Sequence, residues 1–370
     1  MMKNMTGETD KKIICFFSGD ITREGGTENV AALIANALAR QKKYEIIFLS
    51  LVERRDTPFF PICPEIRRYR LGEKWIQPGP GYLAVLPKLK RFLRERRVDV
   101  LVDIDIVLDS LSVPVKGSGT KVVSWGHFSY FYEQKSLYRR LIQMYAAKKA
   151  DYCVTINEEN RKCYERYLHR TKALRTIYNP AVMEKRQDAV AKENYIFWAG
   201  RLVRIKGVDY LAETADRVLK LLPDWRWLAA GDGEEREWLE TYIREHGLQD
   251  RLVLLGTVAD IGQYYAKARI HVLTSRAEGL PMCLLEAKSH GLPCVSFNIS
   301  TGPEEIIRDG VNGYLVEPFD CEKMAEKIVR LASDEELRER FALNAGLDME
   351  KFDLNNIINS WNEVFESLCG

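Results

Sequence analysis

Two glutamates eight positions apart are the residues best suited to chemistry, in Arg276-Ala-Glu278-Gly279-Leu280-Pro281-Met-Cys-Leu-Leu-Glu286-Ala-Lys-Ser-His-Gly291-Leu-Pro293. Pro281 suits the first position of a helix, where its missing N–H costs nothing, and Gly291-Leu-Pro293 stops that helix before a strand at Cys294 to Phe297. The backbone N–H groups of Leu280 to Cys283 are then free to meet an anion or a hydroxyl. Glu278 stands at the mouth of this helix and Glu286 about one turn farther in. Carboxylates accept paired hydrogen bonds from vicinal diols, so the two suit a polyhydroxylated ligand with a phosphate nearby, which describes a nucleotide sugar. The plain alternative is a surface helix with one Glu in its loop. Met282, Leu284 and Leu285, which can pack the helix inward and are interrupted by Glu286, weigh against it.

Breaking a glycosyl phosphate bond leaves negative charge on the departing oxygens and a cation-like anomeric carbon, so fixed positive charge must meet the phosphate. Arg201 and Lys206 are candidates, in Ala199-Gly200-Arg201-Leu-Val-Arg-Ile-Lys206-Gly207 after a strand-like run. An Arg and a Lys five residues apart can be merely solvated, but Gly200 and Gly207 flank them at the carboxyl end of that strand.

These two segments, followed by Thr301-Gly302-Pro303-Glu304-Glu305-Ile-Ile-Arg-Asp-Gly310-Val-Asn-Gly313-Tyr-Leu-Val316, resemble in content and order the E-x7-E signature of retaining glycosyltransferases of family 4 with the GT-B fold. The resemblance covers most of the second half of the chain. It implies that Arg201 and Lys206 hold the donor diphosphate, that Glu278 contacts the sugar ring, and that Glu286 binds the ribose hydroxyls. Gly279, Leu280 and Pro281 join the donor site, and backbone near Val258 meets the base. Gly25-Gly26 matches the family's flexible loop under the donor phosphates, although Gly-Gly before a helix also suits a dehydrogenase turn; the G-x-G-x-x-G pattern of the latter is missing. His127, in Ser124-Trp-Gly126-His127-Phe128, matches a His that hydrogen-bonds the donor sugar, and Glu305 matches an acidic loop position. Catalytic roles thus fall to Glu278, His127, Arg201 and Lys206. The implied donor is a nucleoside diphosphate sugar, a UDP-sugar in the first instance, with no metal cofactor and with front-face attack in which the departing phosphate takes the acceptor proton. One departure is Thr301-Gly302 where many relatives have Gly-Gly, a variant similar to relatives that add galactose-type or N-acetylhexosamine sugars.

The elements that must position these residues read as two α/β alternations. Lys12 to Phe17, Tyr44 to Leu49, Val98 to Ile106, Lys121 to Ser124 and Tyr152 to Ile156 are strand-like, with helices near Gly81 to Arg97 and Leu137 to Lys149. A polar stretch through Asn194 separates them from a second series at Tyr195 to Ala199, Trp227 to Ala230, Leu252 to Leu255, Ile270 to Thr274 and Cys294 to Phe297. The expected organisation is an acceptor-binding Rossmann-like domain at 1–178 and a nucleotide-sugar-binding one at 179–350, each with a parallel sheet, facing a cleft at their strand ends. The amphipathic helix at 351–370 is expected to pack back on the first domain, as the resemblance implies.

With 370 residues, 46% of them hydrophobic, the chain can fill two cores. No apolar run reaches membrane-spanning length, and Met1 to Lys12 is polar, so a cytoplasmic location is expected. The eight cysteines form no C-x-x-C pair, which fits reduced thiols rather than zinc. Lys and Arg outnumber Asp and Glu by 32 to 20 up to Tyr178, a balance of +12, whereas the remainder carries 23 against 33, or −10. A basic first half suggests an anionic partner: a lipid-linked or otherwise anionic saccharide, or reversible contact with anionic membrane at the inner face, and no nucleic acid is implied. The helix bearing Lys88, Lys90, Arg91, Arg94, Arg96 and Arg97 is either a solvated basic face or such a membrane dock. Asp103-Ile-Asp105 could hold a divalent metal, but it lies in an apolar run and reads as a strand end. Two other functions share these features, a nucleotide-sugar epimerase and a catalytically silent sugar-nucleotide binder.

Overall fold

The computed structural model describes residues 11–74, 76, 80–117, 119–181 and 190–370. The polar start and the stretch before Asn194 therefore fall partly outside the described residues, at 1–10 and 182–189. The chain divides into two compact units, Met1–Pro180 with Leu354–Gly370, and Ala181–Asp353.

In the first unit β1 (Ile13–Ser18), β2 (Glu45–Ser50), β3 (Arg67–Arg70), β4 (Val100–Asp103), β5 (Lys121–Gly126), β6 (Tyr152–Thr155) and β7 (Leu174–Thr176) form one sheet in the order β3-β2-β1-β4-β5-β6-β7. Every pairing is parallel; Ile14 lies between Ile46 and Val100. The apolar runs are near-continuous because helices cover both faces, as a parallel sheet requires. Strand order reverses between β1 and β4, so the loops after these two strands flank a crevice. Gly25 is on the first of those loops, with Gly26 opening the helix that follows, and Asp105 is on the second.

The final helix, Leu354–Cys369, belongs to this unit and buries Ile357, Ile358, Trp361, Val364 and Phe365. The Trp361 ring lies 4.9 Å from Trp125 and 6.4 Å from Phe16, and Phe365 lies 5.6 Å from Tyr44. Burying a side chain of this size contributes about 3 kcal/mol, enough to hold a terminal helix that would otherwise fray.

In the second unit β8 (Tyr195–Ala199), β9 (Arg226–Ala230), β10 (Leu252–Gly256), β11 (Ile270–Leu273), β12 (Cys294–Phe297) and β13 (Gly313–Val316) are ordered β10-β9-β8-β11-β12-β13, again all parallel. Its core is built around Trp198, Trp227, Phe297 and Phe341. Here the order reverses between β8 and β11, which brings the loop of Arg201 and Lys206 beside the loop of Glu278.

Three local readings differ from the sequence expectation. The helix expected over Gly81 to Arg97 is two, Pro80–Leu83 and Leu86–Glu95, because Pro87 cannot donate to the preceding turn and instead starts the second. The strand expected through Ile106 ends at Asp103; the Asp105 carboxylate accepts from Val107 N at 3.0 Å and caps a single 3-10 turn, Ile106–Leu108. Pro281 is the residue before the helix, with φ −73° and ψ 104°, and the helix is Met282–Ser289. Its extended ψ turns the Pro281 carbonyl onto Leu284 N at 3.1 Å, which makes it the cap and not the first helical residue.

Candidate active site

The loop after β8 can touch the loop after β11 only because Gly207 has no side chain. Its φ is +67°, and a Cβ there would lie 1.9 Å from the Thr274 carbonyl oxygen. The two loops are then tied together. Thr274 Oγ1 donates to the Lys206 carbonyl at 3.1 Å, and Arg276 N donates to Ile205 O at 2.8 Å. The Arg276 guanidinium pairs with both Asp209 oxygens, at 2.7 and 2.6 Å, above the Tyr210 ring.

On this frame Lys206 Nζ meets Glu278 Oε1 at 2.7 Å, and Ser275 Oγ donates to the same oxygen at 2.6 Å. Burial pulls the Lys206 ammonium toward neutrality, but the charge and hydrogen bond of Glu278 oppose it, and its pKa stands above the ordinary lysine value. Lys206 is therefore a fixed cation. Arg201 is exposed, and its guanidinium has no hydrogen-bond or ion-pair partner among the described residues. The Glu278 backbone is held separately. Thr301 Oγ1 donates to its carbonyl, while Gly302, at φ +101°, packs where a Cβ would be 2.7 Å from Pro281 Cδ and 3.1 Å from Gly279 O.

The helix Met282–Ser289 buries Leu284, Leu285, Ala287 and Lys288, and Glu286 stands between these contacts. Tyr265, wholly buried on the helix Gly262–Lys267, donates its hydroxyl to Glu286 Oε2 at 3.0 Å. Burial raises the Glu286 carboxyl to about 7, and the Tyr265 bond opposes that rise. Gly279 and Leu280 are buried in the turn leading to the helix. Val258 is half-buried on the loop after β10, at the edge of the sheet. Glu305 lies 4.0 Å from Lys351.

The other sequence candidates are in the first unit. Gly25 precedes the helix Gly26–Gln41, and the Glu28 carboxylate, paired with Arg23, folds back so closely over it that a Cβ would lie 2.2 Å from Oε2. At Gly26 a Cβ would meet nothing within 4 Å. His127 follows β5, buried, with its ring 4.2 Å from that of Trp125. Burial lowers its pKa to about 3, so the ring is neutral, and Nε2 has no hydrogen-bond partner among the described residues. Asp103 and Asp105 diverge: Asp103 is buried and accepts from Ser112, whereas Asp105 pairs with Arg139 at 3.1 Å. Asp109 accepts from Ser124 at 2.6 Å, and burial raises it to about 7. No cluster of three metal-ligating side chains occurs among the described residues.

The structure thus brings Lys206 and Glu278 into contact and adds Ser275, Thr301 and Tyr265, which sequence reasoning missed as functional residues. Thr301 carried a signal as a departure from Gly-Gly, but its contact with the Glu278 carbonyl spans two loops 23 residues apart. Tyr265 carried none.

Two all-parallel sheets, with a cation–carboxylate pair at the switch point of the second, are the architecture expected of a GT-B glycosyltransferase. Residues 24–185 match the model of Glycosyltransferase Family 4, and residues 182–347 match that of Glycosyl transferases group 1. An uncharacterized glycosyltransferase of Haemophilus influenzae is 30% identical over 356 residues, spanning 95% of this chain and 99% of its own. The chain belongs to glycosyltransferase family 4, a family of retaining hexosyltransferases. The GalNAc-alpha-(1->4)-GalNAc-alpha-(1->3)-diNAcBac-PP-undecaprenol alpha-1,4-N-acetyl-D-galactosaminyltransferase of Campylobacter jejuni is 25% identical, covering 91% of this chain and 94% of that one. Among solved structures, HepE of Anabaena in complex with UDP superposes with a TM-score of 0.76 at 21% identity, over 96% of this chain and 100% of the other.

Proposed function

We propose that this glycosyltransferase moves a hexose or N-acetylhexosamine from a UDP-sugar to a lipid-linked saccharide during surface-glycan assembly. In this reading the second unit binds the donor and the first the acceptor. The observation that carries the reading is the Lys206–Glu278 contact at the β8/β11 switch point, with Glu286 farther along the same loop and helix. UDP in the Anabaena protein and a lipid diphosphate acceptor in the name of the Campylobacter relative support the choice of donor and acceptor.

Lys206 has three N–H donors, so it can keep Glu278 and still donate to a phosphate oxygen, with Arg201 free to supply a second charge. The first-turn N–H groups of Met282 and Cys283 add donors to the same anion. Glu278 Oε1 is occupied by Lys206 and Ser275, which leaves Oε2 to accept from the sugar hydroxyls as positive charge develops on the ring. Glu286 accepts from the ribose and Val258 backbone borders the base; the family resemblance assigns a hydrogen bond to the sugar to His127, whose neutral ring keeps Nε2 without a partner among the described residues. The bond from the anomeric carbon to the phosphate oxygen breaks, and a bond to the acceptor oxygen forms on the same face. The acceptor proton passes to the departing phosphate.

Incubation with a panel of nucleotide sugars, reading UDP release with and without saccharide acceptors, tests the proposal. Acceptor-stimulated release supports it. Release of an altered sugar without transfer would favour an epimerase, and binding without turnover a silent binder.

A further inference from the structure

Among the described residues no helix is long and apolar enough to cross a membrane, and the apolar surface that could meet one lies on an amphipathic helix. The helix Leu137–Lys149 has the composition for such contact and is oriented contrary to a solvated helix. Its buried face is Ile142, Gln143, Ala146 and Ala147, mostly small or polar. Its larger apolar residues point outward: Leu137 is 71% and Leu141 55% exposed, with Tyr138, Met144 and Tyr145 exposed beside them. These five fall at i, i+1, i+4, i+7 and i+8, which is one face. Single exposed apolar residues are ordinary on any surface, but a contiguous stripe marks a covered one.

What covers it follows from charge. The helix contains no acidic residue, and its exposed ionic groups are Arg140, Lys148 and Lys149, none of which has an acidic partner among the described residues. The preceding turn adds exposed Phe128 and Phe131, and Arg139 over the Phe128 ring at 5.2 Å ties that turn to the helix. A second copy docked by a two-fold axis would set this cationic stripe against itself with no acid on the helix to offset it. An anionic lipid surface offers both the charge and the apolar layer the stripe lacks. The basic helix Leu86–Glu95 is different. It buries Leu89 and Leu93 and exposes Lys88, Lys90, Arg91 and Arg94, so it can attract a membrane but has little to insert.

We propose that the helix Leu137–Lys149, with the turn carrying Phe128 and Phe131, is the face by which this protein docks on an anionic bilayer. The proposal deepens the function argued above and rests on it for placing a lipid-linked acceptor at that surface.

The test is sedimentation with vesicles of phosphatidylcholine alone and of phosphatidylcholine with phosphatidylglycerol. The wild type is expected to pellet with the anionic vesicles and to be released by salt as charges are screened. Leu137→Ser with Leu141→Ser should reduce partitioning at least about tenfold, and Arg140→Gln with Lys148→Gln by about fivefold per cation. Circular dichroism checks that these exposed substitutions leave the fold intact. Unchanged binding by the leucine variant, or no binding by the wild type at low salt, would overturn the proposal. So would a dimer in sedimentation velocity that the leucine variant dissolves while its vesicle binding is retained. Hydrolysis of UDP-sugar by water, measured without vesicles, reads the donor site separately: its loss in the wild type would count against the glycosyltransferase reading and leave the vesicle result standing.

Discussion

In the proposed donor site, Glu286 sets a proton in competition with the nucleotide. Its carboxyl, ordinarily near 4.5, is raised by burial to about 7, against the opposing hydrogen bond from Tyr265. Only the ionised form can accept both ribose hydroxyls. Titration at about 7 leaves roughly one molecule in eleven competent at pH 6 and ten in eleven at pH 8, so UDP should bind about tenfold more weakly at the lower pH. Glu286→Gln fixes the neutral form and should bind weakly with no such dependence. Folding stability carries the same information with opposite direction. The folded state holds this proton more tightly than the unfolded chain, so its contribution is full below about pH 4.5, falls as pH rises to about 7, and is level above. Two to three pKa units correspond to about 3 kcal/mol, so Glu286→Gln should be the more stable protein at pH 8 by up to about that amount. Calorimetric titration with UDP at pH 6, 7 and 8, read as the ratio of wild type to variant, cancels protonation of the UDP phosphate itself. A ratio constant across that range, with equal stabilities at pH 8, would refute the reasoning.

The remaining expectations concern the same loops. Glu278→Gln should lower kcat by about a hundredfold while donor affinity changes by only about a fewfold, because the lost interaction strengthens as charge develops; equal loss in both, seen in steady-state kinetics and UDP titration, would contradict this. Thr301→Val removes the hydroxyl that steadies the Glu278 carbonyl, at about 1 kcal/mol, and should lower kcat more than it raises donor KM. Turnover should persist in EDTA if, as proposed, Lys206 and Arg201 supply the charge; abolition reversed by magnesium or manganese would reopen a role for Asp103 and Asp105.

The buried strands were legible because parallel sheets covered on both faces demand uninterrupted apolar runs, and Tyr195–Ala199 and Cys294–Phe297 have the bounds that their sequence suggests. The edge strand Arg67–Arg70 has no such run: three of its four residues are arginines, and it joins the sheet through backbone bonds that leave no mark in composition. The chemistry was legible in part for a related reason. Glycines around Arg201 and Lys206 advertise a backbone that must approach something closely, and Gly207 does so against Thr274. Tyr265 and Ser275 are ordinary residues in ordinary stretches, and only strand order brings the first under Glu286. The outward stripe on Leu137–Lys149 escaped notice because apolar periodicity states that a helix has a face without saying which way the face points.

The central claim is that Glu278, Lys206 and Glu286 form the donor site of a retaining transferase. Its most direct test is proton NMR of the anomeric region while the protein consumes an α-linked UDP-sugar in the presence of a saccharide acceptor. The expected result is a new α-configured anomeric signal on the acceptor, growing in step with UDP release and absent with Glu278→Gln. A β-configured product, or an altered free sugar with no acceptor adduct, would contradict the account.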